Sequence, residues 1–327
     1  AKVVIAVITR KRVLPEFEPG RYLLQTLGSL LHDILQHPLT KEVLWYPLVC
    51  DMDAHSTLAG DSDIAQIAHV LPVVRPANQS RGGDGSSDSV SGTTPSAVLD
   101  QEKSDYAWCL NQSLNAVSAP QFVVILEDDA VPKSSFLSDL SSIMDQLLNR
   151  PHWKPVLFVK LFHPIRLRKI PFIFQVTGLS LLLALCLYAV PRFSWAFTKG
   201  RLQQQRVSLF LVWCIVNCCT VLALVLKWLG PEVLAFVRHW LTGSTYLVFN
   251  ESCCTPAVLF PAESLPAVIN QLQEQQAHTG HAKDHILDEM VSWSSPWTAL
   301  QTDRNLVRHI GRVSTLHSKP LDISILN

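Results

Sequence analysis

Two stretches of this 327-residue chain carry no charged side chain at all. Residues 170–190 read IPFIFQVTGLSLLLALCLYAV, and residues 207–226 read VSLFLVWCIVNCCTVLALVL. Each has about the 20 residues that cross the hydrocarbon core of a bilayer. Together they predict a transmembrane hairpin within residues 166–239. The hairpin explains why only 17% of the chain is charged, against roughly 25% for a soluble domain. It excludes an all-soluble protein. The rest of the chain is too long and too polar for a small many-span transporter. The spans also lack the ionisable groups that mark a transport pathway. Lys+Arg and Asp+Glu balance at 27 each, which gives no support to a nucleic-acid binder.

Topology follows from the flanks. The connecting segment 191–206 holds Arg192, Lys199, Arg201 and Arg206 and no acid, which favours the cytoplasmic side. Arg166, Arg168 and Lys169 on the other side weaken that signal. Two crossings return the chain to the side it left, so residues 1–165 and 240–327 share a compartment. All three N-x-S sequons, at Asn78, Asn111 and Asn250, lie in those parts and point to a lumen. The opening KVVIAVIT is too short for a signal peptide, and whether an anchor lies upstream of Ala1 stays open. Cys186, Cys214, Cys218 and Cys219 sit inside the apolar runs. Outside them, the adjacent Cys253 and Cys254 are expected to find distant partners, with Cys50 and Cys109 available. Four cysteines allow three connectivities.

The two flanking parts alternate strand and helix patterns. Apolar runs at 2–9, 43–50, 70–74, 121–130 and 155–162 read as strands. Helical spacing appears at 21–36, 101–117 and 134–149. Residues 76–98 are rich in Gly, Ser, Asp and Thr and read as a mobile loop. Beyond the hairpin, 245–250 and 256–260 read as strands, 263–277 and 284–291 as helices, and 304–316 as a last strand region. This alternation predicts an α/β domain with a mostly parallel sheet, split by the membrane hairpin.

One motif stands out for chemistry. The apolar strand VVIL runs directly into Glu127-Asp128-Asp129. Ligand crevices of open α/β sheets form at the carboxyl ends of strands. Three adjacent carboxylates repel one another and call for a cation, and hard oxygen ligands suit Mg²⁺ or Mn²⁺.

A strand ending in EDD resembles the metal motif of GT-A nucleotide-sugar glycosyltransferases. VVIAVITRKR with RYLLQTLGSLL, EKSDYAWCLNQSL and RHIGRVSTL are similar, in this order, to segments of the N-acetylglucosaminyltransferase IV group. That group has no internal spans. A GT-A domain interrupted by two spans resembles instead the Golgi transferases that add GalNAc to glycosylphosphatidylinositol (GPI) anchors.

The resemblance implies a Golgi membrane protein with a luminal GT-A-like catalytic domain. It would move GalNAc from UDP-GalNAc to a mannose of the GPI glycan, with inversion and with Mn²⁺. Asp129 and His309 would be metal ligands. Glu127, Asp128, Thr9 and Arg10 would meet the donor, with Lys103 and Asp105 in the same pocket. Asp51 and Asp53 would meet uracil or ribose, or else only close a turn. An inverting displacement needs a base near the acceptor hydroxyl. Asp284 is the first candidate and Asp288 the second, four apart on one helical face; Asp284 also fits a plain helix cap. Trp293 and Trp297 suit stacking on acceptor sugars or core packing. His278, His281 and His285 lack the glutamate of an HExxH zinc site. Spans within the catalytic domain would hold it near lipid-linked acceptors. Two alternatives stand: a GlcNAc branching transferase on N-glycans, and a catalytically silent membrane glycan-binding or scaffold protein.

Overall fold

The computed structural model describes residues 1–10, 21–36, 43–53, 62–76, 95–149, 154–164, 232–275, 282–292 and 294–311. Two compact units divide the chain: Ala1–Arg166 with Ser244–Asn327, and Leu167–Gly243. The runs 170–190 and 207–226 lie outside the described residues. Among the described residues, no helix is long and apolar enough to cross a membrane.

The first unit begins with β1 (Lys2–Thr9), α1 (Tyr22–Gln36), β2 (Leu44–Asp51), α2 (Ser62–Ile67) and β3 (Val73–Val74). It continues with α3 (Pro95–Asn115), β4 (Phe122–Glu127), β5 (Ala130–Pro132), α4 (Phe136–Asn149) and β6 (Val156–Lys160). In the second unit the described helix is α5 (Glu232–Thr242). The first unit then resumes with β7 (Leu247–Phe249), β8 (Ala257–Pro261), α6 (Leu265–Glu274), α7 (Lys283–Glu289), β9 (Thr298–Thr302) and β10 (Val307–His309).

Eight strands form one sheet in the order β3-β2-β1-β4-β8-β6-β9-β7, and β10 pairs with β5 in a small second sheet. The pairs β3·β2, β2·β1, β1·β4 and β6·β9 are parallel. The pairs β4·β8, β8·β6 and β9·β7 are antiparallel. The architecture is thus α/β with a mostly parallel sheet.

Its centre is apolar on both faces, as strands with helices above and below must be. Side chains alternate across the sheet. Val3, Ile5, Val7, Val124 and Leu126 join a core with α1 and α4. Val4, Ala6, Val123 and Ile125 join the opposite core with α3, α6 and α7. Val3, Val4, Ile5 and Val7 have no exposed surface, and burying each such side chain stabilises by about 1.5–3 kcal/mol. On α1 the buried positions Leu23, Thr26, Leu27, Leu30 and Asp33 follow the helical period. Asp33 uses its carboxylate to accept the backbone N–H of Leu137 at 2.8 Å, an orphan donor in the first turn of α4.

Three expectations need correcting. α3 starts at Pro95, so residues 95–98 belong to a helix rather than to the loop; residues 77–94 lie outside the described residues. Pro fits this first position because its missing N–H would have no intrahelical partner there. β9 (TALQT) carried too little apolar signal to read as a strand. Its polar groups are held instead by tertiary bonds, such as Gln301 Oε1 accepting the Glu251 N–H at 3.0 Å. Finally, Cys253 and Cys254 are joined to each other, not to distant partners. Cys50, near the end of β2, and Cys109, on α3, face each other with Cα atoms 5.8 Å apart and form the other disulfide.

The Cys50–Cys109 link closes a separation of 59 residues, for which loop entropy predicts about 4 kcal/mol. Cys109→Ala is expected to lower the unfolding free energy by up to that amount in a denaturant titration. Cys254→Ala opens a loop between neighbours and should cost far less.

Candidate functional site

The parallel strands β1, β2 and β4 all end on one side of the sheet, where crevices form in α/β proteins. An open cleft lies there. The end of β1 contributes Ile8, Thr9 and Arg10, and Met52 follows β2. α3 contributes Val98, Glu102, Asp105 and Tyr106, with Glu127 and Asp128 from the β4 end and Lys283 from α7.

The three adjacent carboxylates are each handled differently. Asp128 is almost fully buried and accepts the Thr9 hydroxyl at 2.9 Å. Its backbone carbonyl accepts the Thr26 hydroxyl at 2.6 Å, tying β1 and α1 to the motif. Asp129, also buried, has Oδ1 3.4 Å from His309 Nε2. That approach is set by the backbone: β10 pairs His309 with Ala130, and the Ile310 N–H donates to the Asp129 carbonyl at 2.8 Å. Glu127 Oε1 lies 3.0 Å from Lys283 Nζ. Burial raises the Glu127 pKa above the ordinary carboxylate value; Lys283 pulls it down and Asp129 pushes it up.

Glu127, Asp129 and His309 each offer one ligand atom, and these atoms lie within 4.8 Å of one another. Two carboxylate oxygens and an imidazole nitrogen form a donor set suited to a divalent first-row cation such as Mn²⁺. The residues present therefore fit the metal that the EDD motif implies.

Sequence reasoning missed Lys283. Its side chain is 7% exposed and is shared between Glu102 and Glu127, 5.6 Å above the Tyr106 ring. Burial works to lower the Lys283 pKa, but Glu127, Glu102 and Asp284 outweigh it and hold the ammonium well above its usual range. Burial likewise raises the Tyr106 phenol. A lone lysine in HAKDHILDEM carries no local sign of burial, because the pattern of a solvated helix start would look the same. Glu102 and Tyr106 were more accessible: with Asp105 they have the i, i+3, i+4 spacing of one helix face.

The same spacing explains Lys103. It pairs with Asp100 at 2.8 Å and is not among the cleft-lining residues, whereas Asp105 is, 3.6 Å from Arg10. Asp51 is turned to Arg75, whose Nη2 approaches at 2.5 Å, and its other oxygen accepts the Asp53 N–H at 3.1 Å. Met52, between them, is the residue that reaches the cleft.

Asp284 and Asp288 share a face of α7, and both meet the segment that follows β7. Asp284 accepts the Thr255 hydroxyl, and it is not the N-cap, which is Ala282. Asp288 accepts Lys160 Nζ at 3.0 Å, Asn250 at 3.2 Å and Ser252 at 2.7 Å. The sequon residues Asn250 and Ser252 thus both serve Asp288. Asn111 is exposed on α3, while Asn78 lies outside the described residues. Trp297 packs against the core, and His285 is exposed. His278, His281 and Trp293 lie outside the described residues.

Residues 3–308 match the family described as GPI-N-acetylgalactosamine transferase PGAP4. The chain belongs to that family. Among solved structures it is similar to the crystal structure of S. aureus TarS 1-349, at 15% identity and a TM-score of 0.28. The match covers 53% of this chain and 39% of that one.

Lys283→Met leaves Glu102 and Glu127 facing each other. Breaking a fully buried pair costs about 3–5 kcal/mol. Both carboxylate side chains are 26% exposed, and solvent screening reduces the expected loss to roughly 2 kcal/mol. Denaturant titration reads the loss, and adding Glu102→Gln should restore part of it.

Proposed function

We propose that this chain is an inverting GT-A glycosyltransferase that moves GalNAc from UDP-GalNAc to a mannose of the GPI glycan, in the Golgi lumen and with Mn²⁺. Family membership supports the donor sugar and the acceptor class. The single structural observation that carries the reading is the convergence of Glu127, Asp129 and His309 beside a cleft at the carboxyl ends of β1 and β4.

Asp129 and His309 would hold the cation, with Glu127 shared between it and Lys283. When bound, a divalent cation there supplies Lewis-acid neutralisation of the leaving diphosphate. The chain's own residues do the rest. Thr9 and Arg10 line the donor cleft from the β1 end, and Asp105 sits against Arg10 and orients it. Asp128 locks β1 to β4, so the two strand ends that frame the donor keep a fixed spacing.

Inversion in a single displacement needs one base to take the proton of the acceptor mannose hydroxyl. Asp284 suits this role better than Asp288. Asp284 follows Lys283, a cleft residue, and accepts one side-chain hydrogen bond, from Thr255. Asp288 is committed to Lys160, Asn250 and Ser252, so its role is to hold α7 in place.

The decisive assay is turnover of a UDP-sugar panel by purified full chain, with a GPI acceptor and Mn²⁺. UDP-GalNAc should be consumed. Asp129→Ala should abolish Mn²⁺ binding, read by electron paramagnetic resonance, and lower turnover about 100-fold or more. Wild-type protein that binds Mn²⁺ yet turns over no donor would instead favour a silent glycan-binding protein. Turnover of UDP-GlcNAc onto N-glycans would favour a branching transferase.

Asp284→Asn separates the base from the binding residues. Transfer to acceptor should fall roughly 10²–10⁴-fold while UDP affinity, read by calorimetry, stays unchanged. Asp288→Asn should act mainly on stability.

A further inference from the structure

Helix α5 presents its faces in the reverse of the usual order. At about 100° per residue, Phe236, Trp240, Val237 and Leu241 fall within an arc of roughly 140°. Arg238, His239 and Thr242 fall on the other side. In a water-soluble protein the apolar arc turns inward. Here Phe236 is 68%, Trp240 75% and Leu241 68% exposed, while Arg238 and His239 are half-buried. The helix ends cleanly: the Gly243 N–H donates to the His239 carbonyl at 2.7 Å, with Gly243 at φ +68°. That left-handed residue is a common helix stop.

Three features identify what covers the apolar arc. The uncharged run 207–226 ends shortly before Glu232, with Gly230-Pro231 between them. Residues 227–231, even fully extended, reach less than about 20 Å. The helix has 11 residues, about 17 Å at 1.5 Å each, too short for a hydrocarbon core of about 30 Å. Trp is enriched where acyl chains meet headgroups. A short helix with a Trp/Phe/Leu face and a polar face has the form of an in-plane interfacial helix.

We propose that α5 lies in the plane of a lipid bilayer surface, with Phe236, Val237, Trp240 and Leu241 sunk into the headgroup–acyl boundary. The occupant of this face is lipid. Arg238 and His239 take the opposite face of the helix, which acts as a flat float where the second run leaves the membrane. The proposal rests on the reading that residues 170–190 and 207–226 span the bilayer.

The test uses the full chain in phosphatidylcholine nanodiscs, with acyl chains brominated near the headgroup or near the bilayer centre. Subtracting the emission of Trp240→Phe, or of Trp240→Tyr as a second conservative variant, isolates the Trp240 signal. Shallow bromines should quench that signal strongly and deep bromines weakly. Trp240 emission unchanged by either lipid overturns the proposal, and so does stronger quenching by deep bromines. Emission that varies with protein concentration, and not with bromine, shows a second copy on this face and overturns it too. Alkaline carbonate extraction separates the two levels. Release of the chain from membranes sinks the spanning reading and this proposal together. Retention without quenching sinks only the placement of α5.

Discussion

Three carboxylates in a row at the end of a buried strand set the terms for the rest of this structure. Left together they repel, and two of them lie almost fully buried. Each draws its partner from a different part of the chain. Asp128 is satisfied by Thr9 of β1, Asp129 faces His309 of β10, and Glu127 faces Lys283 of α7. The first partner precedes the motif, and the other two come from far beyond it. The motif therefore forms only when the sheet has closed, which makes it a product of the fold and not a local turn. Since unpaired buried charge is costly, the same three contacts tie the distal segment to the first strands.

Helix α7 shows how the cleft lysine is presented. At seven residues it is too short to hold together alone. Ile286 and Leu287 bury one side of it. Its carboxylates supply the other constraint: Asp284 to Thr255 and Asp288 to Lys160. Lys160 has no exposed surface and gives its remaining hydrogens to the carbonyls of Glu251 and Cys253, so all three donors of a buried ammonium are used. A central strand thus fixes the 250–255 segment and α7 through one cation, and Lys283 is carried into place by that anchorage.

Much of the fold was legible because the central strands are nearly unbroken apolar runs, a pattern that buried parallel strands produce. The EDD triplet announced itself by following such a run. The nearness of Asp129 and His309 came from a resemblance between segments, since nothing in their local sequence joins residues so far apart. What stayed hidden shares one physical cause: the signal is tertiary. β9 is polar because its side chains bond to other elements. Lys283 is buried because two glutamates await it, and one of those glutamates sits on another helix. Lys103 and Glu102 are neighbours in sequence, yet the helical turn sends only Glu102 into the cleft. The disulfide pairing depended on where β2 and α3 meet, which no spacing of cysteines encodes.

The sheet also constrains the segment that interrupts it. β8, from beyond the apolar runs, lies between β4 and β6, both from before them. β9, also from beyond, extends β6 in parallel. Strands from both sides of the interruption are therefore hydrogen-bonded neighbours in one sheet and must lie on one side of any membrane. A segment that crosses a bilayer between them has to cross an even number of times. An odd count would place β8 on the opposite side from β4 and β6 and tear the sheet through its middle, where Val258 and Leu259 are fully buried. Were the two apolar runs to span, they would satisfy that rule with two crossings, the smallest even number above zero. A hairpin is thus a form of insertion that this sheet would tolerate without giving up the strands that position Glu127 and Asp129.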